Sequence, residues 1–191
     1  MKKMKLLQKN GRGPLLWAGL ICLALAGCAG VQSQLALNKA DYAFARQDYG
    51  TALASYQQAA AQGSVAAHYH VGHMVLTGRG VEKNTAEAQR WLTAAADKGY
   101  APAQFMLGLW YLSGDGITAD PVQAAQWLRQ AADKGHALAQ YHLGLMHATG
   151  RGVDKDLAQA AGLLQKAAAG GCPVAPELLT PAGLARLERK N

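Results

Sequence analysis

The chain has 191 residues, half of them hydrophobic and only 7% aromatic. That length holds one domain with a real core, and the richness in Ala, Leu and Gly points to helices. Five of the 19 Lys and Arg, and none of the 12 Asp and Glu, lie before position 28, so the rest is nearly neutral and gives no reason to expect nucleic acid as a partner.

Residues 1–27 read as a secretory signal. Lys2, Lys3, Lys5, Lys9 and Arg12 precede an apolar run from Leu15 to Ala26, the order of a basic n-region and an apolar h-region. A run of about a dozen residues is short for a hydrocarbon core that needs about 20 residues of helix, which disfavours a transmembrane anchor. It ends in Leu25-Ala26-Gly27-Cys28, which resembles the lipobox of bacterial lipoproteins. The resemblance implies cleavage before Cys28 and a diacylglyceryl group on its sulfur. Two or more acyl chains make a stable anchor, each buried CH₂ contributing about 0.8 kcal/mol. By the sorting rule of such lipoproteins, Ala29 in place of aspartate implies the outer membrane, facing the periplasm, in a Gram-negative cell.

Residues 28–38 are expected to be the lipidated N-terminus and a short tether. Fully extended, Ala29 to Leu35 would reach only about 25 Å, keeping the folded part near the membrane. Asp41-Tyr42-Ala43-Phe44-Ala45-Arg46-Gln47-Asp48-Tyr49 followed by Ala52, Tyr56, Ala59, Ala60 and Gly63 resembles a tetratricopeptide-type helical hairpin with a short turn, so residues 39–64 are expected to be an N-terminal cap.

Three gapless 36-residue copies follow, at 65–100, 101–136 and 137–172. Their matching columns include Ala67/Ala103/Ala139, Tyr69/Phe105/Tyr141, Gly72/Gly108/Gly144, Ala88/Ala124/Ala160, Leu92/Leu128/Leu164 and Gly99/Gly135/Gly171. A period of this length marks a solenoid, because one helical pair cannot bury its apolar face without neighbours. In the first helix of the second copy, Ala103, Leu107, Trp110 and Tyr111 share one face of a 3.6-residue period, which should pack on the preceding copy. Gly72, Gly108 and Gly144 sit mid-helix, where glycine costs about 1 kcal/mol relative to alanine. Close approach of the second helix, at the small Ala88, Ala124 and Ala160, would offset that. Asn84, Asp120 and Asp156 predict N-caps for the second helices, and Gly99, Gly135 and Gly171 predict left-handed C-caps.

The string Ala-x-Ala-Gln-Tyr/Phe-x-Leu-Gly, then Gly-x-Gly-Val/Ile, then Ala-x-x-Trp-Leu-x-x-Ala-Ala-Asp-Lys-Gly resembles the Sel-one-like repeat, a branch of the tetratricopeptide superfamily. His68 replaces the glutamine in the first copy and Leu163 the tryptophan in the third. The resemblance implies an all-α, right-handed α-solenoid of helix-turn-helix repeats. Residues 173–191 are expected to form a C-terminal cap, since Pro173 and Pro176 interrupt a fourth copy and Thr180-Pro181 can start a short helix running to Arg189.

No cluster in the sequence carries catalysis, a metal or a cofactor. His68, His70 and His73 form an H-x-H-x-x-H string, but Gln104/Gln140, Met106/His142 and Leu109/Leu145 at the same positions mark ordinary repeat columns. The Gly-x-Gly loops follow no strand and lack the Lys-Ser/Thr of nucleotide loops. Ser113 belongs to a Thr77/Ser113/Thr149 column at a helix end, where side-chain capping is expected. Cys172 replaces Tyr100 and His136 of the other copies, as a small packed residue or, less readily, as a partner in an intermolecular disulfide.

What remains is surface. In the resembled family the first helices line the concave side, which would bring Tyr69, His73, Leu76, Phe105, Leu109, Leu112, Tyr141 and Leu145 along an inner groove. Aromatic anchors in a groove suit a partner's peptide or helix; the same column can equally pack between copies. The expected function is a non-catalytic adaptor, bound to the membrane through its lipid and to an envelope-complex protein on its concave face. Neutralising a secreted effector toxin, as an immunity protein, is the alternative. A cell-wall or β-lactam hydrolase ranks below both.

Overall fold

The computed structural model describes residues 30–178 and Gly183. Helix α1 covers residues 30–45, and α2 (Tyr49–Ala61), α3 (Val65–Thr77), α4 (Thr85–Asp97), α5 (Ala101–Ser113), α6 (Pro121–Asp133), α7 (Ala137–Thr149), α8 (Leu157–Ala169) and the short α9 (Ala175–Leu178) follow. Among the described residues there is no strand, and no helix is long and apolar enough to cross a membrane. The signal segment, Cys28, and Thr180-Pro181 with the helix expected after them lie outside the described residues, apart from Gly183, which is helical. The chain divides into two compact units between Ala67 and His68, within α3.

In the N-terminal unit, α1 buries Ser33, Ala36, Ala40 and Ala43, a single face at helical spacing. Their small size allows α2 to come close with Ala52, Ala59 and Ala60. The Tyr56 hydroxyl donates to Asp41 Oδ1 at 2.6 Å, and burial together with that carboxylate pushes the phenol well above its usual range. Gln47 turns the chain at φ 63°, with the Gln47 and Asp48 amides donating to the carbonyls of Phe44 and Ala43. Asp48 then caps α2 by accepting from the Thr51 amide at 3.2 Å.

The tether expected over residues 28–38 is corrected here, because the chain is helical from Gly30 onward. Ser33 and Ala36 already belong to the buried face, so an extended segment would forfeit their packing. Helical rise advances residues 30–35 by about 8 Å, less than half their extended length.

The C-terminal unit is an all-α solenoid of hairpins α3/α4, α5/α6 and α7/α8, each helix 13 residues long. Asn84, Asp120 and Asp156 cap α4, α6 and α8 by accepting from the amides of Glu87, Val122 with Gln123, and Gln159. Gly99, Gly135 and Gly171 end those helices at φ 83–85°. The next amides, of Tyr100, His136 and Cys172, reach back to Ala95, Ala131 and Ala167, a geometry that only a left-handed residue allows cheaply.

The mid-helix glycines do sit at close approaches, though the nearest side chains belong to the leucine column and not to the alanines. A β-carbon on Gly108 would lie 2.6 Å from Leu128 Cγ and 3.3 Å from the Ala124 carbonyl oxygen; on Gly144 the nearest atom is Leu164 Cγ at 3.2 Å. Ala103 and Leu107 are fully buried and Trp110 nearly so. Tyr111, on the same face, takes a hydrogen bond from Gln89 of the preceding hairpin at 3.2 Å.

Neighbouring hairpins are also tied by side-chain to backbone bonds. Gln104 and Gln140 donate to the carbonyls of Ala96 and Ala132 at 3.0 and 3.1 Å, and Gln104 also donates to Gln130 Oε1. Lys134 reaches the Gly99 carbonyl, and Arg151 the Leu112 carbonyl at 2.9 Å. His68, which replaces this glutamine in the first repeat, packs edge-on against Trp91 at 5.4 Å. The second glycine of each later Gly-x-Gly loop abuts the preceding hairpin, Gly116 against Thr85 and Gly152 against the Pro121 backbone. Toward the C-terminal end of the described residues, α9 buries Ala175 in a cluster with Ala167 and Cys172.

Candidate protein-binding face

The eight residues singled out by sequence all lie half-buried, on α3 (Tyr69, His73, Leu76), α5 (Phe105, Leu109, Leu112) and α7 (Tyr141, Leu145). Leu76, Leu109 and Leu112 come together in an open cavity of about 560 Å³. Met106, Trp110, Ser113, Asp115, His142 and Arg151 complete its lining, and none of these six was in the expected set. Met106 and His142 share one repeat column, a half-buried position directly after the aromatic column, and that column was the available signal.

The aromatic column is engaged in packing. Tyr69 meets Tyr100 at 5.5 Å between ring centroids, and Phe105 stacks on His136 at 4.6 Å and contacts His142 at 5.8 Å. Tyr141 packs against the cluster of Ala167, Cys172 and Ala175. Each aromatic therefore covers the turn residue that ends its own repeat, and Phe105 also touches the next one. Leu145 packs on Ala148 and Ala160. Tyr69, His73, Phe105, Tyr141 and Leu145 are thus not among the residues that line the cavity.

Burial lowers the basicity of His73, helped by the nearby Arg79 charge, and burial likewise lowers that of His136 and His142. His136 has a structural reason to stay neutral, since its Nδ1 accepts the Ala139 amide at 3.3 Å and caps α7. His73 stacks on Tyr69 at 6.3 Å and His70 meets the same ring at 5.2 Å. The three histidines of the first repeat thus act as ring-packing groups. Among the described residues no three His, Cys, Asp or Glu side chains converge as a metal site would require.

A second cavity, of about 440 Å³, lies by the loop before α8, lined by Arg129, His147, Val153, Asp154, Lys155, Asp156 and Gln159. The buried His147 bridges it, with Nδ1 3.2 Å from the Asp154 carbonyl and Nε2 3.5 Å from Arg129. Charges of both signs surround it, so it favours no one sign of ligand.

Stacked helical hairpins with an apolar recess along their first helices define a tetratricopeptide-like repeat protein, a class built on surface recognition. The chain belongs to the Sel1 repeat family, which matches residues 41–64, 65–100, 101–136 and 137–172. The first match falls in the hairpin read from sequence as a cap, raising the repeats from three to four. Among solved structures, a Sel1 repeat protein from Oxalobacter formigenes is 33% identical with a TM-score of 0.72, over 75% of this chain and 59% of that one. A protective antigen of uropathogenic Escherichia coli with the same repeat fold is 31% identical with a TM-score of 0.67, over 81% of this chain and 33% of its own. The chain therefore spans less than two thirds of either relative. Helicobacter pylori cysteine-rich protein B shares the fold at 23% identity and a TM-score of 0.54, over 60% of this chain and 88% of its own. Among curated proteins no match is significant. Sel1 repeat proteins generally act as protein-interaction scaffolds and are typically non-catalytic.

Proposed function

We propose that this chain is an adaptor of the bacterial envelope, an outer-membrane lipoprotein acylated at Cys28 that holds an apolar segment of a partner protein against the first helices of its repeats. The observation that carries the reading is the cavity of about 560 Å³ between α3, α5 and α7, where Leu76, Met106, Leu109 and Leu112 present apolar surface beside Asp115 and Arg151. Apolar anchors with a few polar groups at the edge suit a protein segment, the anchors giving affinity and the polar groups register. The lipobox-like Leu25-Ala26-Gly27-Cys28 supports the anchor, and Ala29 the outer membrane.

The test is affinity capture from intact envelopes with the full chain and with Leu109→Asp, which puts a charge into the recess. A specific partner held by the wild type and lost by the variant, with helical content unchanged, is the expected result. Equal capture by both proteins would sink the assignment of this face. A partner that proves to be a secreted toxin, neutralised on binding, would replace the adaptor by the immunity reading.

A further inference from the structure

The first helix carries an apolar stripe that is exposed among the described residues. Val31, Leu35 and Tyr42 are 71%, 69% and 65% exposed, and their spacing of four and seven places them on one line along α1. Asn38 and Ala45 continue that line, while the buried Ser33, Ala36, Ala40 and Ala43 occupy the opposite face. Lys39 and Arg46 flank the stripe on one side, Gln34 and Asp41 on the other. The Arg46 guanidinium lies 5.6 Å from the Tyr42 ring centroid and donates to its hydroxyl at 3.0 Å. An apolar stripe beside basic and aromatic side chains is the pattern of a helix lying in a membrane interface.

We infer that α1 lies along the bilayer surface, with Val31, Leu35 and Tyr42 inserted at the boundary of headgroups and acyl chains. The inference rests on the acylation of Cys28 proposed above. What selects a lipid surface over a protein partner or a second copy is the chain length between the anchor and the helix. α1 is already formed at Gly30, and two residues span at most about 7 Å. A sulfur whose acyl chains are in the bilayer therefore holds Val31 at headgroup depth, and helical geometry then brings Leu35 and Tyr42 along the same line. The lipid and the stripe act together: the acyl chains fix one end of the helix, and the stripe lays the rest flat.

The experiment uses the full lipoprotein reconstituted in vesicles of phosphatidylethanolamine and phosphatidylglycerol, with an environment-sensitive fluorophore on Leu35→Cys or, as a reference, on the exposed Gln126→Cys of α6. Acylation is read by mass spectrometry and vesicle association by flotation. With acylated, floating protein, the label at 35 is expected to shift to the blue and brighten several-fold, and to be quenched by quencher-bearing lipid, while the label at 126 stays water-like. A Val31→Cys label, nearer the anchor, repeats the measurement if Leu35→Cys fails to fold. A water-like label at both 31 and 35 on acylated, floating protein would overturn the inference and leave the anchor standing. A blue shift that appears without vesicles and grows with protein concentration would also overturn it, assigning the stripe to a second copy. Protein that neither carries acyl chains nor floats removes the anchor reading, and this inference with it.

Discussion

Adding a methyl group at equivalent positions of successive repeats gives a quantitative test of how the hairpins close. In Gly108→Ala the new β-carbon would lie 2.6 Å from Leu128 Cγ, 2.8 Å from Leu128 Cδ2 and 3.3 Å from the Ala124 carbonyl oxygen. Leu128 is fully buried among Leu143, Met146 and Ala132, so it has little room to turn away. Overpacking of this kind costs about 1–3 kcal/mol and alanine returns about 1 kcal/mol of helix propensity, leaving a net loss of up to about 2 kcal/mol. In Gly144→Ala the nearest atom is Leu164 Cγ at 3.2 Å, and the two effects should nearly cancel. Gly162, inside α8, has no atom within 4 Å of the added carbon, so Gly162→Ala should gain about 0.5–1 kcal/mol. Thermal and urea unfolding followed by circular dichroism, on the chain from Ala29, should rank Gly162→Ala above wild type, Gly144→Ala near it and Gly108→Ala below. At roughly 2–4 °C per kcal/mol for a chain of this size, the two outer variants should differ by several degrees. Equal stability of Gly108→Ala and Gly144→Ala would refute the argument that the distance to the leucine sets the cost.

Gln104→Ala removes the bonds to Ala96 and Gln130 from a residue only 2% exposed; it should cost about 1–3 kcal/mol, and an unchanged urea midpoint would contradict this. Acid should weaken the fold before any carboxylate effect. His73, His136 and His142 have lowered folded-state values against an ordinary 6.5, so the unfolded chain binds more protons there and stability falls as pH drops below about 6.5. The lowered carboxylates, Asp48 and Asp156, depart from an ordinary 3.8, so urea midpoints compared between pH 7.5 and 5 isolate the histidines. His136→Asn, which keeps a capping side chain without a titrating ring, should reduce that pH dependence. Cys172 is a free thiol only 3% exposed, so thiol reagents should modify it slowly in native protein and promptly in urea; prompt native labelling would show that α9 does not cover it.

Much of the fold was legible because its signals are local. Asn84, Asp120 and Asp156 each bond an amide two or three residues away, and such a cap is readable without tertiary structure. The extension of α1 to Gly30 was hidden because its buried face is made of Ser33 and Ala36, residues too small or polar to give an apolar period. The Ala-Gln motif was visible as a pattern but not as a tie, since its partners are the carbonyls of Ala96 and Ala132 and any residue supplies a carbonyl. The candidate site was half legible. Leu76, Leu109 and Leu112 do line the cavity, whereas the aromatic column faces Tyr100, His136 and Cys172, a position whose chemistry changes in every repeat and therefore shows no pattern.

The ties between hairpins reach one unit and stop there: Gln104 to Ala96, Lys134 to Gly99, Arg151 to Leu112, Gly152 against Pro121. Unequal recombination between two repeats, at a matched codon, would therefore disturb only the junction it falls on, and that junction keeps its tie where the incoming copy carries the donor, as those with Gln104 and Gln140 do and the one with His68 does not. Such an array can change length by whole units while the junctions away from the exchange keep their contacts.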